Sequence, residues 1–170
     1  MSSDAGALIL TFTEYREAGE RLARAAGLPA ARVEIHRFPD GESLVRMPER
    51  LPPRVILGRS LDDPNAKLIE LLLAAETART LGATTVELVA PYLGYMRQDT
   101  ALHPGEAVSQ RIIGGVLARS FDRLVTVDPH RHRTHDLADV LPGVHTRVLS
   151  ATDPLAEFLG SAIDDPVLVG

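Results

Sequence analysis

Short apolar runs alternate along the chain with longer stretches of helical period. Val-, Ile- and Leu-rich runs at Ala7–Thr13, Arg54–Arg59, Val86–Pro91, Leu124–Asp128, Thr146–Leu149 and Pro166–Val169 predict buried strands. Glu14–Ala26, Pro64–Leu81, Ala107–Ser120 and Pro154–Ile163 predict the helices between them. Thr13 suits the N-cap of the first helix, Gly27 and Pro29 end it, and Gly82 ends the second. In the second helix Leu68, Ile69, Leu72, Leu73, Ala75 and Ala78 are the expected apolar face; in the third it is Val108, Ile112, Val116 and Leu117. Strands alternating with helices in this way build βαβ units. The expected fold class is therefore α/β, a parallel-centred sheet with helices on both faces.

One stretch breaks the alternation. Val33-Glu34-Ile35-His36 reads as extended, Phe38-Pro39-Asp40-Gly41-Glu42 is rich in turn residues, and Leu44–Met47 is extended again before Pro48. This pattern predicts an extended flap at about 33–47 beside the main sheet. There is no repeat, low-complexity segment or linker, so residues 1–170 are expected to form a single domain.

Composition narrows the classes. The 18 Lys plus Arg against 23 Asp plus Glu give a net charge of −5, which argues against a general nucleic-acid binder. With no Cys, the chain has no disulfide scaffold, thiolate zinc site or Cys nucleophile. Met1–Asp4 lacks the basic-then-apolar pattern of an export signal, and no apolar run approaches ~18 residues. The expected location is the cytoplasm, with no membrane partner. Pro166-Val167-Leu168-Val169-Gly170 reads as a buried strand ending without a polar tail, which suggests a piece of a longer chain.

Open α/β sheets bind ligands where strands end and helices begin, which singles out four segments. In Arg37-Phe38-Pro39-Asp40-Gly41-Glu42 an aromatic precedes two carboxylates; it suits either a base-stacking turn or a surface turn with Phe38 in the core. Pro91-Tyr92-Leu93-Gly94-Tyr95-Met96-Arg97-Gln98-Asp99 follows a strand directly. Its Arg97 suits a phosphate, or Arg97 and Asp99 pair with each other in a capping loop. Asp128-Pro129-His130-Arg131-His132-Arg133-Thr134-His135 holds three His, as for a divalent metal or phosphate platform, or is a solvated basic loop. In His103-Pro104-Gly105-Glu106-Ala107-Val108-Ser109, Glu106 suits the N-terminus of the helix that follows, or a ligand beside Arg97.

Together with Pro64-Asn65-Ala66-Lys67-Leu68-Ile69-Glu70-Leu71-Leu72, these segments resemble the amino-terminal half of ribose-phosphate pyrophosphokinase, the phosphoribosyl pyrophosphate synthase family. They stand in that family's order and at nearly its spacings. The resemblance implies a type I phosphoribosyltransferase-like domain that supplies most of an ATP site. It further implies that the turn of Phe38, Asp40, Gly41 and Glu42 reaches adenine across a subunit boundary of a homo-oligomer. Arg97, Gln98 and Asp99 are implied at the nucleotide, and His130 as a holder of Mg2+. The family's reaction moves the β,γ-diphosphoryl group of ATP to the C1 hydroxyl of ribose 5-phosphate and releases AMP. Departures are Pro129 in place of a common Leu, His132, Arg133 and His135 in place of a Gln-Ile-Gln run, and Thr100 and Ala101 in place of basic residues.

The family's catalytic Lys and Arg and its acidic ribose-phosphate loop have no counterpart in these residues. No catalytic residue is assigned here, and the 170 residues alone are expected to be inactive. Two alternatives remain open: a non-catalytic regulatory subunit of the same family, and a phosphoribosyltransferase. The leading reading expects Arg97, Gln98, His130 and the Asp128 backbone to converge on one cleft.

Overall fold

The structure, a computed structural model, describes residues 6–130, 133 and 136–162. The expected strand Pro166–Val169, and His132 and His135, lie outside the described residues. In chain order the strands are β1 (Ala7–Phe12), β2 (Ala30–Arg37), β3 (Ser43–Arg46), β4 (Arg54–Gly58), β5 (Thr85–Val89), β6 (Arg123–Val127) and β7 (His145–Leu149). The helices are α1 (Arg16–Ala26), α2 (Pro64–Thr80), α3 (Ser109–Ser120) and α4 (Thr152–Ala162).

Among the described residues the strands form one seven-stranded sheet in the order β3-β2-β1-β4-β5-β6-β7. All neighbours are parallel except β2 and β3. The chain winds outward from β1 to β3, then returns to the other side of β1, so the winding reverses between β1 and β4.

Alternation along the strands sorts their side chains onto two faces. Leu10, Phe12, Val55, Leu57, Val86, Leu88 and Leu124 pack with Leu71, Ala74, Ala75 and Ala78 of α2 and Leu117 of α3. Ile9 and Ile56 point the other way and pack against Ala23 of α1. A fully buried Leu or Ile contributes about 2 kcal/mol by leaving water, so the larger cluster dominates the fold's stability. The expected α/β architecture, with helices on both faces, is the observed one.

Two helix faces differ from expectation. In α2 the buried residues are Leu68, Glu70, Leu71, Ala74, Ala75 and Ala78, whereas Ile69 is 57% exposed and Leu73 42%. Leu and Ile fall on several sides of this helix between Leu68 and Leu73, so more than one stripe fits its pattern. In α3 the buried residues are Gln110, Gly114, Leu117 and Ser120, and Ile112 is exposed. The small Gly114 decides that face: a Cβ there would lie 2.3 Å from the Val140 carbonyl oxygen, so the helix lies directly on that backbone.

The flap is also more firmly rooted than its pattern suggested. Strand β2 begins at Ala30, and Ala30–Val33 pair in parallel with Ile9–Phe12 of β1. Its second half, Glu34–Arg37, pairs antiparallel with β3. The flap is thus the continuation of a main-sheet strand, with β3 as the sheet edge. No helix among the described residues is long and apolar enough to cross a membrane.

Candidate functional site

The segments after β5 and β6 meet at the carboxyl ends of those strands. Tyr92, Leu93, Met96 and Arg97 from the first, with Val127, Asp128, Pro129 and His130 from the second, line a cavity of about 160 Å³. Leu93 and Met96 are buried and root the first segment in the core. Gly94 lies against the neighbouring loop, where a Cβ would stand 2.7 Å from the Leu61 carbonyl oxygen. That residue therefore serves close approach at a normal φ. It is Tyr95 that adopts the left-handed backbone, at φ 65°, and its hydroxyl donates to Asn65 Oδ1. The Val127 amide donates to the Pro91 carbonyl at 3.2 Å, which stitches the two segments together.

Within this frame the expected residues divide. Arg97 and His130 line the same cavity and are both exposed. No carboxylate among the described residues pairs with Arg97. Asp128 lines the cavity at φ 38°, and its carboxylate is turned to the Ala151 amide at 2.8 Å, ahead of α4. Gln98 seats α3 instead: its Oε1 accepts from Ser109 Oγ at 2.8 Å, and its carbonyl accepts from the Gln110 amide at 3.2 Å. The partner of Asp99 is Arg133, through a 2.9 Å ion pair and a 3.2 Å bond from the Arg133 amide. Burial pushes the Asp99 carboxyl up, yet the hydrogen bond and charge of Arg133 outweigh it and hold the group below the usual carboxylate range. Asp99 therefore clasps the two loops that flank the cavity.

The Glu106 segment is built differently from expectation. Helix α3 begins at Ser109, and the Glu106 carboxylate closes its own loop. It accepts from the Leu102 amide at 2.8 Å and the His103 amide at 3.1 Å, and pairs with His103 Nδ1 at 2.8 Å. The His103 contact is the main reason its carboxyl lies below the usual range.

At the flap, Phe38 is 39% exposed and stands edge-on to His36, with ring centroids 4.7 Å apart. It is not part of the core. The Phe38 amide donates to the Glu42 carbonyl at 2.8 Å, the Gly41 amide to the Phe38 carbonyl at 3.0 Å, and Asp40 Oδ1 accepts from the Glu42 amide at 3.1 Å. The Asp40 side chain thereby shapes the turn that presents Phe38. Strands β1 and β4 separate the flap from the cavity of Arg97 and His130, an offset of about 19 Å at ordinary strand spacing.

A larger cavity among the described residues has no counterpart in the segments singled out from the sequence. It measures about 720 Å³, lies where the winding reverses, and is lined by Glu14, Arg37, Arg59, Asp62, Lys67 and Glu70 among others. Arg59 and Glu70 are both buried and meet at 2.5 Å. Arg59 also donates to Glu14 at 2.7 Å and to the Lys67 carbonyl at 3.1 Å, and its guanidinium lies 4.0 Å from the Phe12 ring centroid. Lys67 pairs with Asp62 at 3.0 Å, and Arg37 with Glu70 at 2.9 Å. Every cation here already has its carboxylate, so the cavity offers a polyanion little that Arg97 does not offer better. The available signal was a charged residue directly after a buried strand and a Glu within a buried helix stripe.

Among the described residues no three or more His, Cys, Asp or Glu converge as a metal cage. The donor set beside Arg97 is the His130 imidazole, with the Asp128 carboxylate engaged elsewhere. That set suits Mg2+ carried on a polyphosphate, since this ion keeps its waters and binds mainly through substrate oxygens.

Comparison with known proteins agrees with this architecture. Residues 7–120 match the family described as the N-terminal domain of ribose phosphate pyrophosphokinase. The ribose-phosphate pyrophosphokinase of Methanopyrus kandleri is 34% identical over 166 residues, covering 96% of this chain and 56% of the relative. That of Saccharolobus solfataricus is 42% identical over 115 residues, 66% of this chain and 40% of the relative. The chain thus spans about half the length of the curated relatives it matches. The crystal structure of phosphoribosylpyrophosphate synthetase from Mycobacterium smegmatis superposes with a TM-score of 0.76 over 91% of this chain and 52% of that one, at 21% identity, a likeness of fold. By sequence match and by fold, the chain belongs to the ribose-phosphate pyrophosphokinase family and corresponds to its N-terminal domain.

Proposed function

We propose that this domain supplies the ATP site of a ribose-phosphate diphosphokinase, which transfers the β,γ-diphosphoryl group of ATP to the C1 hydroxyl of ribose 5-phosphate. The observation that carries the reading is Arg97, without a carboxylate partner among the described residues, sharing a strand-end cavity with His130. A guanidinium left unneutralised beside an imidazole suits a magnesium polyphosphate. Mg2+ borne by the nucleotide would neutralise phosphate charge there, with His130 as its protein ligand. Arg97 would grip phosphate oxygens, while Gln98 and Asp99 hold its loop against α3 and Arg133.

The flap enters from a second copy in a homo-oligomer. Its offset from the cavity is too great for Phe38, Asp40, Gly41 and Glu42 to share a nucleotide with Arg97 of the same chain. Ile69 and Leu73, exposed on α2 beside the flap turn, give that contact an apolar floor.

Calorimetric titration with Mg-ATP tests the reading. Arg97→Ala removes a charge-assisted contact worth about 1.5–3 kcal/mol and is expected to weaken binding by about 10- to 100-fold. Arg24→Ala, on the outer surface of α1, is expected to leave it unchanged. Equal affinity in wild type and Arg97→Ala would refute the assignment.

A further inference from the structure

Glu70 belongs to α2, yet two of its three hydrogen-bond donors are in the flap. Arg37 Nε donates to Glu70 Oε1 at 2.9 Å, and Ser43 Oγ donates to the same oxygen at 3.0 Å. Arg37 and Ser43 are register partners, the last pair before the turn that carries Phe38, Asp40 and Glu42. The other carboxylate oxygen takes Arg59 Nη2 at 2.5 Å, and Arg59 is itself clamped by Glu14, the Lys67 carbonyl and the Phe12 ring. One fully buried carboxylate thus joins both feet of the turn to the sheet's interior.

The flap needs such a tie. Strand β3 is four residues long and pairs with β2 alone, at the edge of the sheet. An isolated two-stranded ribbon of this length is marginal in water. Its side chains help only in part: Val45 packs half-buried against the core, whereas Leu44 is 40% exposed. A buried Glu in the middle of an otherwise apolar helix stripe is costly to desolvate, and three donors offset that cost. Two of those three donors, Arg37 and Ser43, belong to the flap.

We propose that Glu70 is a positioning residue that holds the flap turn preformed against α2, so that Phe38, Asp40 and Glu42 are presented to a nucleotide on a neighbouring copy without further ordering. This rests on the reading of the flap as a nucleotide contact. Preformed turns bind more tightly because the ordering cost is met on folding. Removing the tie should therefore loosen the turn while the rest of the sheet stays intact.

Hydrogen exchange of the 170-residue chain, read by mass spectrometry together with Mg-ATP affinity, tests this. Arg37→Gln leaves Glu70 paired with Arg59, and Arg37 is 60% exposed, so the variant is expected to fold. Ser43→Ala is a second, milder cut, and Glu70→Gln removes the charge common to both. In Arg37→Gln the Phe38 and Gly41 amides, both bonded within the turn, are expected to exchange at least about tenfold faster, with Ser43→Ala smaller and Glu70→Gln larger. Amides of β4 and β5 are expected to keep wild-type rates in Arg37→Gln and Ser43→Ala. Mg-ATP affinity should fall in the same order as turn protection, whereas a merely structural role would lower the melting temperature instead. Wild-type exchange at Phe38 and Gly41 in both Arg37→Gln and Ser43→Ala would overturn the proposal. Faster exchange with unchanged Mg-ATP affinity would uphold Glu70 as the anchor and refute the flap as a nucleotide contact.

Discussion

Purified as these 170 residues and mixed with Mg-ATP and ribose 5-phosphate, the chain is expected to release AMP at a rate several decades below an ordinary enzyme. Diphosphoryl transfer is mostly a problem of placing two substrates in line and neutralising the charge that develops between them. On the proposed reading the cavity of Arg97 and His130 takes the nucleotide, one of the two substrates. These residues span about half the length of the curated relatives they match. Positioning of a second reactant alone accounts for about 7–11 kcal/mol in favourable cases, so losing that side removes most of the rate. Turnover near ~1 s⁻¹ or faster, measured as AMP release, would show that these residues hold a complete catalytic centre.

Arg59→Met is expected to be the most damaging single substitution for stability. Methionine retains much of the apolar stem but loses the guanidinium over the Phe12 ring and leaves Glu70, fully buried, with only its flap-side donors. Breaking a buried pair from one side costs about 3–5 kcal/mol, a large share of a typical domain's stability. Adding Glu70→Gln to Arg59→Met should recover part of the loss, because a neutral amide costs less to bury than an unpaired carboxylate. Burial pushes the Glu70 carboxyl up, but hydrogen bonds from Arg37 and Arg59, with the Arg59 charge, bring it below the usual range. A carboxyl whose folded value lies below its unfolded one contributes fully above the ordinary carboxylate range and loses that contribution as pH falls through the folded value. The gap in stability between wild type and Arg59→Met should accordingly narrow in acid. Urea unfolding at neutral pH measures the effect, and a change below about 1 kcal/mol would contradict the account.

The strands were legible because parallel strands buried on both faces read as continuous apolar runs, as Val55–Leu57 and Val86–Leu88 do. The helix faces were not. Ile69 and Leu73 are as apolar as Leu68 and Leu71, and only the packing of α2 against the sheet tells them apart. Likewise α3 turns by the contact of Gly114 with Val140, a residue well beyond it in the chain. In the site, Arg97 and His130 could be paired in advance because each follows a strand at the same end of the sheet. The partner of Asp99 could not, since Arg133 is brought to it only by the neighbouring placement of β5 and β6. The Arg59–Glu70 pair was hidden for the same reason: two charged residues eleven positions apart become buried partners only once α2 lies against β4. Phe38 suited both core and surface, and the hairpin geometry decided for the surface.

On the proposed reading, the cavity at the carboxyl ends of β5 and β6 receives the phosphates of Mg-ATP. A crystal structure of the chain with Mg2+ and a non-hydrolysable ATP analogue measures it most directly. Phosphate oxygens are expected within hydrogen-bond distance of the Arg97 guanidinium, with the metal beside His130. Phosphates seated against Arg59 in the larger cavity, or an Arg97 that faces solvent with nucleotide bound elsewhere, would contradict it.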